Sequence, residues 1–332
     1  MTIPMNILSR RSLAIFATAS ALPVLSVSAQ TAPAAKPAEA PYKILHITQV
    51  PNTGSTDYIF ADSADRRVYI PSGATIDVFD LDTYKLVGTV PNAAGHGVVI
   101  DPESHHGFCS GNPSVMFDSQ TLAQIKTNPA PGADGILFDP FTHHVFILSH
   151  RAPNLLVIDS KDGSIVGTVE HLGKNDTVAA TEQGVSDGNG TLYFDCEDQG
   201  CVAVVDAKTL KVTGEYDLGE KGGGNAGLAI DTKNHILFAM CRGEAGGQPT
   251  CVILSAKDGK IITTLPLVGG SDGGGFNPNT MEAFASQGNG NGTLTVIKEN
   301  SPTDFVVEQN VETKPGAKCC TLDTKENHFI VF

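Results

Sequence analysis

Residues 57 to 90 read DYIFADSADRRVYIPSGATIDVFDLDTYKLVGTV. This stretch contains four short runs of β-branched and aromatic residues, and clusters of Asp, Ser, Gly and Thr separate the runs. Such runs favour β-strands, and the separating residues favour tight turns. The stretch therefore predicts one antiparallel sheet of four strands.

Similar stretches recur along the chain, for example at 100 to 118, 138 to 159 and 192 to 206. The residues that begin the first strand of each unit are spaced by 39, 38, 49, 43, 46 and 46 positions. These residues are Asp57, His96, Asp134, Gln183, Ala226, Asp272 and Lys318. A period of about 40 to 50 residues with four strands per repeat is typical of a β-propeller. The predicted fold class is all-β, a seven-bladed β-propeller with four-stranded antiparallel blades spanning residues 42–332.

The N-terminal segment indicates export. Arg10 and Arg11 precede an apolar run that ends at Leu25, so residues 1–29 are interpreted as a signal peptide. The paired arginines fit a twin-arginine signal, and they also occur in ordinary Sec signals. Residues 30–41 are rich in Ala and Pro and are interpreted as a linker. We therefore expect a periplasmic or secreted protein.

The charge of the chain limits its partners. The formal net charge is −14, and removing residues 1–29, whose only charged side chains are Arg10 and Arg11, would make it −16. This acidity argues against nucleic acid, because binding phosphates requires a basic surface. Beyond the signal peptide no apolar run is long enough to span a membrane. The expected partner is an unknown small ligand or a periplasmic protein.

The C-terminal end predicts an incomplete last blade. After Lys318 the chain contains only two strand-like runs, about 319–322 and 328–332. The run 42–50 has no blade of its own in the sequence, so it should be the outermost strand of blade seven. Blade seven would then be shared by both termini and would lack its third strand.

Asp residues recur at equivalent turns of the repeats. The positions that end the first or third strand are Asp62, Asp80, Asp101, Asp118, Asp139, Asp159, Asp206, Asp231 and Asp323. A carboxylate that recurs at the same turn is most simply explained as a turn former that accepts backbone N–H groups. We therefore do not count these residues as ligands.

The strand-entry residues differ from blade to blade and are the candidate site. In a propeller the first strand of each blade lines the channel, so these residues should converge on one mouth of the channel. Loops between second and third strands open on the same side and add His150, Arg151, Arg242 and residues 287–292. The predicted ligand-binding residues are Asp57, His96, Asp134, Gln183, Arg242, Asp272 and Lys318. The alternative is a hydrated channel whose polar groups are satisfied by water and by one another.

Two cysteine pairs occupy equivalent places, at the end of a second strand and the start of a third. Cys196 with Cys201 and Cys241 with Cys251 are therefore predicted to form disulfides, since an exported protein meets an oxidising environment. A zinc site made of these four thiolates is the alternative, but no C-x-x-C spacing supports it.

The repeats resemble a known family. The segments RVYIPSG from Arg67, IDVFDLDT from Ile76 and KLVGTV from Lys85 are similar to the YVTN-type (YncE-like) repeat of exported bacterial propellers. NGNGTLTVIK, which ends at Lys298, is a similar copy. The resemblance covers residues 42–332 and implies the propeller fold. The chain departs from the family by stopping where the final blade normally continues.

Motifs for an enzyme are scarce. The sequence has no C-x-x-C-H, no G-x-S-x-G and no Trp, and no cofactor is predicted. We expect a non-catalytic binding or interaction protein with its ligand site at the channel mouth. The alternative is a metal-assisted, lactonase-like hydrolase that uses Asp57, His96, Asp134 and Asp272. A metal ion at the channel mouth remains an open expectation.

Overall fold

The computed structural model describes residues 4–10, 40–51, 54, 56–243 and 246–332. Within them the backbone forms seven antiparallel sheets of four strands each, which are the blades of a β-propeller. The predicted all-β class and the seven blades are thereby confirmed. Among these residues no helix is both long enough and apolar enough to cross a membrane.

The strands are numbered in chain order, beginning with β1 (Pro4–Arg10) and β2 (Tyr42–Gln49). Blade one contains β3 (Phe60–Asp62), β4 (Arg67–Ser72), β5 (Thr75–Asp80) and β6 (Leu86–Val90). Blade two contains β7 (Gly97–Asp101), β8 (His106–Ser110), β9 (Ser114–Asp118) and β10 (Gln124–Asn128). Blade three contains β11 (Ala133–Asp139), β12 (His144–Ser149), β13 (Leu155–Asp159) and β14 (Ile165–Val169).

Blade four contains β15 (Thr181–Ser186), β16 (Thr191–Cys196), β17 (Cys201–Asp206) and β18 (Lys211–Asp217). Blade five contains β19 (Asn225–Asp231), β20 (Ile236–Cys241), β21 (Thr250–Ser255) and β22 (Ile261–Pro266). Blade six contains β23 (Gly273–Asn277), β24 (Glu282–Gln287), β25 (Thr293–Ser301) and β26 (Asp304–Glu312). Blade seven contains β27 (Cys320–Asp323) and β28 (His328–Val331), together with β1 and β2. Two short 3-10 turns lie at Glu197–Gln199 and Gly219–Lys221.

Seven buried apolar clusters lie within the described residues, one at each interface between neighbouring blades. Between blades three and four, for example, the rings of Phe146 and Phe194 lie 6.2 Å apart within one such cluster. The middle strands are apolar on both faces, and β20 is buried at all six residues. Each blade can bury both faces only between two neighbours, so closure of the ring is what makes every blade stable.

The recurring Asp residues form turns, as predicted. Asp80 Oδ1 accepts hydrogen bonds from the backbone N–H groups of Asp82 and Thr83 at 3.1 and 2.7 Å. Equivalent bonds to backbone N–H groups are made by Asp62, Asp101, Asp118, Asp139, Asp159, Asp206, Asp231 and Asp323. These carboxylates therefore stabilise the repeat rather than line a site.

Blade seven receives strands from both ends of the chain. The C-terminal segment supplies only β27 and β28, as predicted, and β2 is the outermost strand. The sheet nevertheless reaches four strands, because β1 lies between β28 and β2 and runs antiparallel to both. The sequence assigns β1 to the predicted signal peptide. Most of residues 1–29 and of the linker 30–41 lies outside the described residues, and both assignments stay predictions.

The edge strand β2 is held by blade six. The backbone N–H of Tyr42 donates to Gln309 Oε1, and Gln309 Nε2 donates to the Tyr42 carbonyl, both at 2.9 Å. The Tyr42 hydroxyl donates to the buried carboxylate of Glu282. These contacts anchor β2 at the outer edge of blade seven, with room for one strand between β2 and β28. An antiparallel strand in that place can form backbone hydrogen bonds with both of them.

The cysteine pairs differ in register, although none of the seven cysteines is in a disulfide here. Cys196 lies directly opposite Cys201, and both side chains belong to the cluster between blades three and four. Their contact and their burial raise the pKa of the Cys196 thiol. The bridge between these two residues stays a prediction.

The predicted bridge between Cys241 and Cys251 is wrong in this register. Cys241 lies opposite Thr250, while Cys251 lies opposite Met240. Successive residues of a strand point to opposite faces. Cys241 accordingly packs between blades four and five, and Cys251 between blades five and six. The same separation rules out the four-thiolate zinc site.

We expect removal of residues 1–29 to destabilise blade seven. The shorter chain loses β1, which leaves the facing edges of β28 and β2 without backbone partners. Thermal unfolding followed by circular dichroism should give a lower Tm for a chain that begins at Gln30 than for the full chain. A chain that begins at Pro4 retains β1 and is the control. Equal Tm values for the two truncated chains would contradict this role of β1.

Mild oxidation should bridge Cys196 to Cys201 and leave Cys241 and Cys251 as thiols. The reason is that only the first pair is directly opposed on one face of its sheet. Alkylation in denaturant followed by peptide mass spectrometry measures the four thiols. Cys196→Ser is the control and should abolish the bridge. Recovery of a linked Cys241–Cys251 peptide from folded protein would contradict the register.

Candidate functional site

The strand-entry residues converge on one mouth of the channel. Six of the seven predicted site residues are linked there by contacts between charged or imidazole side chains: Asp57, His96, Asp134, Arg242, Asp272 and Lys318. Every blade contributes at least one side chain to this mouth. Blade five contributes through the loop after β20, since its strand entry is the apolar Ala226.

Lys318 and Arg242 form one side of the mouth. Lys318 Nζ lies 3.0 Å from Asp272 Oδ2 and also contacts Asp57 Oδ1. Arg242 Nη2 lies 2.8 Å from Asp272 Oδ1, and Arg242 Nη1 contacts Glu197. Asp272 of blade six thus contacts one cation from blade five and one from blade seven.

Two imidazoles form the other side. His96 Nδ1 lies 2.6 Å from Asp57 Oδ2 and 3.9 Å from Asp134 Oδ1. His150 Nε2 lies 3.3 Å from Asp134 Oδ2 and 3.4 Å from Glu182 Oε1.

The two sides join because Arg242 Nη2 lies 3.9 Å from Glu182 Oε1. The contacts therefore form a closed ring of side chains. We call this set the mouth ring: Asp57, His96, Asp134, His150, Glu182, Arg242, Asp272 and Lys318, with Glu197 attached through Arg242.

Local irregularities of the inner strands aim these side chains. In β11 the register shifts between Ala133 and Ile136, and in β15 it shifts between Thr181 and Gly184. A bulge of this kind turns a side chain away from the regular pleat. Asp134 and Glu182 lie in the two bulges and therefore reach the mouth.

Gly135 allows the two bulges to approach each other. A Cβ atom on Gly135 would lie 2.0 Å from the Glu182 carbonyl oxygen, a distance that no side chain tolerates. The absence of a side chain at this position thus brings the inner strands of blades three and four together. It is one reason why Asp134 and Glu182 flank the same imidazole.

The side chains of the mouth ring differ in how much of each is exposed to solvent. The side chains of His96, His150, Arg242 and Lys318 are 35%, 39%, 33% and 39% exposed. The carboxylates of Asp57, Asp134, Glu182, Glu197 and Asp272 are only 10% to 19% exposed. The carboxylates therefore lie behind and hold the groups that a molecule arriving from solvent would meet first.

Burial and neighbouring charges shift the pKa values of the ring. The hydrogen bond to Asp57 raises the pKa of His96, and the contact with Glu182 raises that of His150. Burial and then repulsion from Glu182 raise the pKa of Asp134 to about 6. Burial and the neighbouring Glu182 likewise raise the pKa of Glu197 to about 7.

Asp57 and Lys318 are held in their ionised forms. Burial opposes the ionisation of Asp57, but hydrogen bonds from His96 and Lys318 outweigh it and lower the pKa of this carboxyl. Burial also acts against the charge of Lys318, yet contacts with Asp57 and Asp272 raise the pKa of Lys318. On the lysine side of the ring, the charged forms of Asp57 and Lys318 therefore stabilise each other.

Gln183 does not belong to the mouth ring. Its Oε1 accepts hydrogen bonds from the backbone N–H groups of Leu228 and Gly274 at 2.8 and 2.9 Å, and its Nε2 donates to the Gly274 carbonyl at 3.0 Å. Gln183 thus crosses the channel and links three inner strands. The bulge in β15 explains the error, because it places Glu182 at the mouth instead.

Glu182 and Glu197 are the ring residues that the sequence reading missed. Glu182 immediately precedes Gln183, so allowing for a bulge at the strand entry would have found it. Glu197 lies in the 3-10 turn between Cys196 and Cys201, a segment read only for its cysteines. His150 was expected among the mouth loops and does lie in the ring.

A cavity of about 220 Å³ opens beside the ring. It is lined by Arg242, Asp272 and Lys318 together with Asn289 and glycine backbone. Two cations and one carboxylate thus face this cavity. Asn289 belongs to the loop 287–292 that was expected at the mouth.

Two groups in the ring have the composition and proximity of metal ligands. One is Asp57, His96 and Asp134, and the other is Asp134, His150 and Glu182. In each group the three ligand atoms lie within 4.8 Å of one another. Asp272, the fourth residue of the hydrolase alternative, pairs instead with Arg242 and Lys318. The four proposed hydrolase residues therefore do not form one metal-binding group.

Comparison with known proteins shows the fold. No protein-family model matches the chain, and no curated protein matches its sequence. A chain of the mitotic checkpoint complex is similar in structure, with a TM-score of 0.73 and 11% identity over 93% of this chain and 98% of that one. The WD40 repeats of RRP9 and the structure of U3-55K each give a TM-score of 0.67 at 11% identity. Each covers 83% of this chain, and 86% and 88% of their own chains are matched. These similarities show the β-propeller fold.

Gly135→Ala should destabilise the protein by about 1–3 kcal/mol, because the new methyl group forces blades three and four apart. Gly214→Ala is a matched control in an outer strand, where a Cβ would lie 3.7 Å from Val204 at ordinary contact distance. Urea unfolding measures both free energies. Equal stability of the two variants would contradict the close approach at Gly135.

Proposed function

We propose that this protein is an exported, non-catalytic binding protein whose channel mouth binds a small ligand that carries a carboxylate. The observation that carries the proposal is the placement of Arg242 and Lys318. These two side chains flank the cavity of about 220 Å³ and remain 33% and 39% exposed. Their positive charge faces a concave space, which is the usual setting of a small-molecule site.

The local charge favours an anionic group in the cavity. Arg242 and Lys318 line the cavity with one carboxylate, that of Asp272, while Glu197 and Asp57 contact the two cations from outside the lining. A guanidinium offers a planar pair of donors that suits a carboxylate, and an ammonium adds a further donor. A ligand carboxylate in the cavity would therefore meet donors from both cations.

The arrangement is held before any ligand arrives. Asp272 contacts both Arg242 and Lys318, and Asp57 contacts Lys318 from the next blade. Side chains fixed in this way lose little freedom on binding, which favours affinity.

Export and family are part of the same proposal. The paired Arg10 and Arg11 before an apolar run support a periplasmic or secreted location. The repeat segments that begin at Arg67 and Ile76 support a relationship to the YVTN-type propellers. A small ligand in the mouth is favoured over a protein partner because the accessible donors lie around a concave cavity.

The hydrolase alternative has weaker support. His96 Nδ1 and Asp57 Oδ2 are only 2.6 Å apart, which is a hydrogen-bonding distance rather than the separation of two ligands on one metal ion. Asp272 is occupied by two cations. These contacts favour a binding role for the lysine side of the mouth.

Calorimetric titration of metal-free protein with acetate, succinate and citrate tests the proposal. We expect at least one of these carboxylates to bind and Lys318→Met to weaken it by about tenfold or more, because a charged hydrogen bond is lost. Lys161→Met, in an exposed hairpin turn of blade three, is the matched control and should bind like the wild type.

Two results would overturn the proposal. One is the absence of binding by all three carboxylates. The other is equal affinity of the wild type and Lys318→Met, provided that circular dichroism shows the variant to be folded.

A further inference from the structure

His150 lies between two carboxylates at separations that suit metal ligands. Its Nε2 atom is 3.3 Å from Asp134 Oδ2 and 3.4 Å from Glu182 Oε1. Both distances exceed the usual range of an N–H···O hydrogen bond. A tetrahedral metal ion with bonds of about 2.0–2.1 Å separates its ligand atoms by about 3.3 Å. Both separations from the imidazole nitrogen therefore match those of ligands on a shared metal ion, and the ligand atoms of the three residues all lie within 4.8 Å of one another.

The surrounding contacts orient these ligands. Tyr58 donates its hydroxyl to Glu182 Oε2 at 3.0 Å, which leaves Oε1 facing His150. Gly135 holds the inner strands of blades three and four together and so fixes the distance between the two carboxylates. Hydrogen bonds to the outer atoms of metal ligands are a regular feature of metal sites.

His150 itself is positioned by the loop that follows β12. The backbone N–H of Ser149 donates to the Asn154 carbonyl at 2.9 Å and to Thr181 Oγ1 at 3.1 Å. These bonds hold the start of the loop against blade four. The residue before His150 is therefore fixed, and this places the imidazole beside the two carboxylates.

Asp134 has unused ligand capacity. Among the described residues, its buried Oδ1 atom has no hydrogen-bond partner. A buried carboxylate oxygen without a partner is costly. Oδ2 is the oxygen nearer to His150, and a cation bound through both oxygens of this carboxylate would also give Oδ1 a partner.

The charges of the mouth ring also favour a cation beside His150. Five carboxylates and two permanently positive side chains make up the ring, apart from its imidazoles. Arg242 and Lys318 direct their closest contacts to Asp57, Glu197 and Asp272. Asp134 and Glu182, the two carboxylates beside His150, are thus the ones without a close contact to a permanent cation.

The neighbouring group Asp57, His96 and Asp134 is less suitable. The 2.6 Å contact between His96 and Asp57 is already a hydrogen bond, and Lys318 occupies the other oxygen of Asp57. A metal ion there would have to replace both contacts. The His150 group is therefore the better candidate for a metal ion.

We propose that His150, Asp134 and Glu182 bind one divalent transition-metal ion of the Zn²⁺ class. One imidazole nitrogen and two carboxylate oxygens are the ligands that such ions accept, and three protein ligands leave a position open. Arg242, which lies 3.9 Å from Glu182, also lines the cavity beside the ring. The inference rests on the proposed function in one respect, since the open position would receive a donor group of the bound ligand.

Titration of the metal-stripped full chain tests the site. Calorimetry with ZnCl₂ should give one ion per chain, and CoCl₂ should give the visible absorption of a four- or five-coordinate Co²⁺ site. MgCl₂ should bind much more weakly, because Mg²⁺ prefers six oxygen ligands. His150→Ala and Glu182→Gln should each weaken Zn²⁺ binding by tenfold or more.

A second histidine variant is the matched control. His143→Ala removes a surface histidine that lies 3.8 Å from Glu103, outside the mouth ring. It should retain one bound Zn²⁺ with an affinity within about threefold of the wild type. If His150→Ala is poorly folded, His150→Gln removes the same ligand atom with a smaller change in volume.

The inference is overturned if Zn²⁺ does not bind in stoichiometric amount. It is also overturned if His150→Ala binds as the wild type does, or if His143→Ala abolishes binding. The carboxylate titrations use metal-free protein, so their outcome is independent. Loss of the zinc site with retained carboxylate binding would overturn the metal inference alone, and the reverse pattern would overturn the proposed function alone.

Discussion

Closure of the ring of blades is the constraint on which the structure depends. A four-stranded sheet with two apolar faces is not stable by itself in water, so every blade requires a neighbour on each side. The seven clusters between blades satisfy this requirement within the described residues. Because the innermost strands then meet around one axis, side chains at their starts are brought together whatever their distance in sequence. The mouth ring is a direct result of that geometry.

Most of the fold could be predicted because its signals are local and repeated. Alternating apolar runs, the recurring Asp turns and a period of about 40 to 50 residues are visible in the sequence alone. Blade seven was harder, since its third strand comes from a segment that also has the features of a signal peptide. The outermost strand was predicted because residues 42–50 have no blade of their own, but β1 lies outside the repeats and their period does not indicate it.

The site could be predicted in outline and not in detail. Six strand-entry and loop residues converge as the repeat register implies, since that register is preserved in most blades. The exchange of Gln183 for Glu182 arose from a bulge, which shifts the register by one residue and leaves no clear mark in the sequence. The error at Cys241 and Cys251 also comes from one position of register, here without a bulge, because a difference of one position in a hairpin changes the face on which a side chain lies.

Gln183 has a consequence for how the molecule unfolds. In many repeat proteins each unit contacts only the next one, so units open one at a time. The three hydrogen bonds of Gln183 connect blade four to the inner strands of blades five and six. Opening any one of these blades therefore breaks contacts in the other two. We therefore expect blades four to six to open as one cooperative block, with the slowest hydrogen exchange of the propeller at the amides at its centre.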